Sequence, residues 1–158
     1  MAEVRAFLKV CAAIEHESAE LYHWLSRLFS DSQRVSLLWK KTALEEENHE
    51  SQFLLAEKLA DDLVAIPLQS QEEAQARLER IRELRREFEM RPPGLIPALR
   101  AAILLEDELA GFHMEKALLY SDERHQQMFD AMMAHDRGHS EALRGLLSEL
   151  MVDGDQGA

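Results

Sequence analysis

Two short stretches of this chain set a carboxylate three residues ahead of a histidine. They are Glu46 with His49, in Leu44-Glu45-Glu46-Glu47-Asn48-His49, and Asp136 with His139, in Ala134-His135-Asp136-Arg137-Gly138-His139. On an α-helix that spacing puts both side chains on one face about one turn apart, where they can hold one metal ion or two adjacent ones. A lone glutamate precedes each pair at nearly the same interval: Glu15 by 31 residues (46 − 15) and Glu106 by 30 (136 − 106). The order carboxylate, carboxylate-x-x-His, carboxylate, carboxylate-x-x-His predicts an all-α chain with a two-metal site inside a four-helix bundle.

The spacing alone is a weak signal. With 30 acidic residues and 7 histidines among 158, chance supplies about one or two such pairs (7 × 30/158), and the chain has four. Glu20 with His23 is set aside because Glu20 is turned about 140° from Glu15 around the helix. Asp122 with His125 is set aside because Asp122 stands at a helix start, as a cap. The two remaining pairs are distinguished by their register.

A first helix over about 3–29 places Val4, Leu8, Cys11, Ala12, Ser18, Ala19, Tyr22 and Phe29 on the face of Glu15, with Glu17 and Glu20 turned away. A second, over about 32–60 with an N-cap from Ser30 and Asp31, turns Val35, Trp39, Thr42, Glu46, His49, Phe53 and Ala60 inward, with Glu50 at the edge. A third, over about 96–120, does the same with Leu99, Ala102, Glu106, Leu109, Ala110, His113, Ala117 and Tyr120. The fourth starts at Ser121 and Asp122 and ends near Leu150, with His125, Phe129, Met132, Asp136, His139, Leu143 and Leu147 inward. A carboxylate in an apolar stripe is costly unless a cation or hydrogen-bond donor meets it.

The two halves repeat. Glu15 and Glu106 are 91 apart (106 − 15), as are Ser30 and Ser121 (121 − 30), while Glu46 and Asp136, and His49 and His139, are 90 apart. One helical hairpin written twice would set the polar patches around a pseudo-twofold axis. Between the hairpins, 61–97 reads as a long crossover holding an amphipathic helix, Gln71–Met90, with Ala74, Leu78, Ile81, Leu84 and Phe88 as a narrow apolar seam. Arg91-Pro92-Pro93-Gly94 ends it. A fifth helix on a bundle already closed by four predicts a homodimer burying Leu78, Ile81 and Phe88. The reading is one domain over 1–150 and a disordered tail over 151–158.

The net charge of −12 excludes nucleic acid and anionic membrane surfaces as partners. The single cysteine, Cys11, reads as a small buried hydrophobe and excludes both a disulfide framework and a cysteine-based metal centre. With no signal peptide and no apolar run long enough to span a bilayer, a cytoplasmic location is expected. Four core carboxylates would repel one another, and two divalent ions neutralise them formally. Carboxylate with imidazole suits iron or manganese, and zinc also occupies such sites. Tyr22 and His113, each seven residues after a lone glutamate, and Glu50 at the stripe's edge are placed to donate to carboxylates or relay protons.

These stretches resemble the ferritin-like di-iron carboxylate superfamily, and within it the rubrerythrin family. The matching pieces are Ala13-Ile14-Glu15 with Leu21-Tyr22, Leu44 to His49, Ala102-Ile103-Leu104-Leu105-Glu106 with Phe112-His113, and Asp136-Arg137-Gly138-His139. The resemblance covers the four core helices and not Gln71–Met90. It implies two non-haem irons, with Glu15 and His49 on one, Glu106 and His139 on the other, and Glu46 and Asp136 bridging. It implies chemistry with peroxide or dioxygen as substrate. The chain departs from that family in three places. It lacks the rubredoxin cysteines, so a separate electron donor is expected; Leu109 stands where the family has an extra glutamate; and Asp136 is one methylene shorter than the usual bridging glutamate. Three functions are open: a di-iron oxidoreductase reducing peroxide or oxidising Fe2+, an iron-binding or iron-delivery protein without turnover, and a structural bundle held by its metal.

Overall fold

The computed structural model describes residues 2–60, 65–110, 112, 117–120, 123–124, 127 and 139–155. Two long helices, α1 (Ala2–Leu28) and α2 (Gln33–Lys58), form an antiparallel hairpin whose inner stripes are those expected, Glu15, Glu46 and His49 included. Ser26 and Ser36 lock its closed end, each hydroxyl donating to the other's backbone carbonyl at 2.9 Å. The turn, residues 29–32, is two residues longer than expected. Ser32, not Ser30 or Asp31, holds the N-cap position of α2, and its side chain makes no capping hydrogen bond.

A short strand, β1 (Ala65–Pro67), precedes helix α3 (Gln71–Met90). A capping box starts α3: Ser70 Oγ accepts from the Glu73 N–H at 3.1 Å, and Glu73 accepts from the Ser70 N–H at 2.8 Å. The seam of α3 is buried within the chain, Leu78 at 4% and Ile81 at 0% exposure, and the Phe88 ring stacks on Trp24 of α1 at 6.4 Å. Leu78 and Ile81, expected at a homodimer face, are thus covered within one copy of the chain, with Phe88 half-buried. The reason lies in α1. It has a second apolar line, Phe7, Ile14 and Leu21 at intervals of seven, all buried, turned between the Glu15 side and the Glu17 side.

Helix α4 (Leu95–Leu109) carries Pro97 in its first turn, where its missing N–H costs nothing. The expected continuation to 120 does not occur. The helix ends at Leu109, and the Phe112 N–H bonds back to the Leu109 carbonyl at 2.7 Å. Strand β2 (Leu118–Tyr120) then pairs antiparallel with β1, Ile66 opposite Leu119, and the Leu68 N–H extends the ladder to the Ala117 carbonyl at 2.9 Å. This ribbon joins the crossover to the segment following α4.

The last described helix, α5 (His139–Asp155), runs on past Leu150, so the expected tail is helical as far as Asp155. Leu143 and Leu146 enter the common core, and ion pairs tie Arg144 to Asp107 of α4 and Glu149 to Arg34 of α2. The architecture is a helical bundle with one two-stranded ribbon. Among the described residues, no helix is long and apolar enough to cross a membrane.

Candidate metal centre

The site is built mainly by the first hairpin. On α1, Leu8, Cys11, Ala12 and Ala19 bury the stripe that carries Glu15, so the carboxylate enters the core with them. On α2, Trp39, Ala43, Phe53 and Ala56 do the same for Glu46 and His49. Glu15 and Glu46 are each 1% exposed, Glu106 from α4 is 5% and His49 is 6%.

One donor atom from each of Glu15, Glu46 and His49 lies within 4.8 Å of the other two. Donors about 2 Å from a common ion lie at most about 4 Å apart, so small rotamer adjustments close this group on one cation. His49 Nδ1 is 3.1 Å from Glu46 Oε2 and 3.8 Å from Glu15 Oε2, the second an ion-pair contact beyond hydrogen-bond length. Two carboxylates and an imidazole are a donor set that fits iron, manganese or zinc.

Glu106 approaches from the other side. The Tyr22 hydroxyl donates to Glu106 Oε1, and the Tyr22 ring stacks on Trp39 at 5.8 Å, both aromatics wholly buried. Burial, then the charge of Glu106 and those of Glu46 and Glu15, hold the phenol well above its ordinary pKa, so it stays a donor. Burial, then the charge of Glu106, also push Glu46 well up, against the hydrogen bond from His49. For His49 burial disfavours the imidazolium, but Glu15 and Glu46 outweigh it and push the pKa up to about 11. Cys11 is pushed up by burial and then by Glu15, which makes it an unreactive thiol.

Of the expected ligands, the structure therefore brings together Glu15, Glu46 and His49, with Glu106 facing them through Tyr22. His113 and Asp136 lie outside the described residues, as does the side chain of His139, whose backbone begins α5. Glu50 is not in the core. It lies on the surface of the hairpin, its Oε2 3.2 Å from His16 Nδ1. A second such pair, His23 Nε2 with Glu47 Oε1 at 2.8 Å, stands beside it. Sequence reasoning missed both pairs, although His16 and His23, seven residues apart, share one edge of α1. Ser18, expected on the Glu15 face, is buried, whereas the buried Gln52, one turn beyond His49, was missed although i+3 spacing would have found it.

No protein-family model, curated protein or solved structure matches this chain.

Proposed function

We propose that this chain is a ferritin-like, rubrerythrin-like non-haem di-iron protein, an oxidoreductase that reduces peroxide or uses peroxide or dioxygen to oxidise Fe2+. The observation that carries the reading is the buried convergence of Glu15, Glu46 and His49, with Glu106 beside them. Glu15 and His49 would hold one ion and Glu46 would bridge. Glu106, with Asp136 and His139 by the repeat in the sequence, would hold the other. Iron bound there would supply the electrons that reduce the oxidant.

The rest of the chemistry falls to the chain. Burial keeps bulk water and large substrates from the carboxylates, which selects for molecules of peroxide or dioxygen size. Tyr22 keeps its proton, orients Glu106 through the hydrogen bond to Oε1, and offers that proton where oxygen is reduced. The Trp39 stack fixes the tyrosine ring, so the donor is set before substrate arrives. With one cysteine in the chain, electrons return from a separate donor.

Anaerobic Fe2+ loading followed by dialysis tests the site: two ions per chain are expected, with loss in Glu46→Ala and His49→Ala. Peroxide added to the loaded protein should then be consumed at one molecule per two Fe2+, giving two Fe3+ and two waters with two protons taken up. Iron retained without oxidation would assign a carrier. No retained iron, or retention unchanged in both variants, would overturn the reading.

A further inference from the structure

The ligands of the proposed site are almost wholly buried, so a cation has to enter through a seam of the bundle. Successive residues on a helix are 100° and 1.5 Å apart, so the chain neighbours of a ligand form the rim around it. His16 follows Glu15 and Glu50 follows His49, and these two neighbours meet across the seam between α1 and α2 at 3.2 Å. The histidine is exposed and the glutamate half-buried, so the pair faces water on one side and the core on the other.

The rest of this seam supplies the contrast. Towards the open end of the hairpin, Glu57 is met by Arg5 at 3.6 Å and Lys9 at 3.8 Å, permanent cations that repel a metal ion and cannot ligate it. At the level of the buried site the cross-helix partners become histidines. Neutral imidazole and carboxylate are also the donor types of the buried group. His23 with Glu47 has the same chemistry, but only Glu47 adjoins a ligand, whereas His16 and Glu50 adjoin one on each helix.

We infer that His16 and Glu50 form an outer station that captures a divalent cation from solvent and passes it inward to Glu15 and His49; the inference rests on the metal-site reading above. An acidic chain concentrates cations near its surface, and the pair gives them one place to shed water next to the core.

Stopped-flow mixing of the chelator-treated full chain with Co2+ tests this, because visible absorption of cobalt in a carboxylate and imidazole site reports both rate and final occupancy. In Glu50→Gln and in His16→Ala, uptake should slow about tenfold at unchanged final amplitude, the low end of what electrostatic focusing supplies. His23→Ala should slow it less, and Glu57→Gln should not slow it at all. Wild-type rates in both Glu50→Gln and His16→Ala would overturn the inference. So would a fall in amplitude matching the fall in rate, since the pair would then be holding the helices in place. Absence of a cobalt signal in the wild-type chain would instead sink the metal-site reading on which this one stands.

Discussion

Glu15 and Glu17 stand two residues apart on α1 and meet opposite surroundings. Glu17 faces α3, where Arg82 Nε donates to one carboxylate oxygen and Arg85 Nη1 to the other, each at 3.0 Å. Glu15 faces the core, where among the described residues its company includes Glu46, Glu106 and the imidazole of His49. If all three carboxylates ionise and His49 carries a proton, the core group still holds two negative charges (−3 + 1). On the flank the chain supplies two arginines; the charge of these four described core residues is of the sign and size that a divalent ion would balance. Identical side chains on one helix thus separate a carboxylate that fastens two helices from one that, on the proposed reading, recruits a cation from outside.

Removing that outside cation should have the largest effect. A ligand at a thousand times its Kd stabilises the fold by about 4 kcal/mol, which for a chain of this size raises the melting temperature by about 10 °C. Calorimetry with and without chelator measures it, and equal midpoints would mean that the core group needs no cation.

The next test exchanges charge for neutral isostere at each position. In the metal-free protein Glu46→Gln removes a charge that burial and Glu106 oppose, and should leave stability unchanged or raise it by about 1 kcal/mol, while metal affinity falls. Glu17→Gln should do the reverse. It should lower stability by at most about 1 kcal/mol, since its arginine partners are about a third exposed, and leave metal content untouched. Denaturant melts of both variants decide the matter, and shifts of the same sign would erase the distinction.

The smallest effect is in pH. Glu73, at the start of α3, is held below its ordinary pKa of 4.5 by hydrogen bonds from Ser70, so its contribution is present above 4.5 and lost as pH falls. Glu46 and His49 are shifted the other way. Their contribution in the metal-free protein is complete below their unfolded values and is lost as pH rises, for His49 between 6.5 and about 11. Melting temperatures across pH should therefore fall at both ends. Glu73→Gln should flatten the acid limb and Glu46→Gln should shrink the alkaline one, leaving the part that Glu15 gives His49; an alkaline limb that persists when Glu46→Gln is combined with His49→Gln would place its origin away from the core group.

The inner stripes of α1, α2 and the first part of α4 were legible in the sequence because helical periodicity is local, and a carboxylate inside an apolar stripe stands out wherever the stripe docks. The docking of α3 was not. Its seam looks too narrow for burial when α3 is read alone, and what seats it is the second apolar line of α1 together with Glu17, whose arginine partners lie 65 and 68 residues further along the chain. The end of α4 was misplaced for a related reason. The stripe from Glu106 through Ala117 reads on past Gly111, whereas Leu118–Tyr120 pairs as a strand with residues far back in the crossover. Of the candidate site, the three converging donors and the tyrosine were readable from spacing, while the histidines on the rim depend on which edges of two helices meet.

The Ser26 and Ser36 clasp has a consequence for the order in which the protein assembles. Glu15 and His49 are only 34 residues apart (49 − 15), and everything that brings them together, clasp included, lies within the first 58 residues. Contacts of such short range form early, and a chain made from its N-terminus completes this hairpin while α4 is still unsynthesised. Glu106, 84 residues beyond Tyr22, arrives at a cradle already shaped. A nascent chain halted after α2 would thus hold three donors of the candidate site before Glu106 exists, so that on the proposed reading the first ion would find its place during synthesis rather than after release.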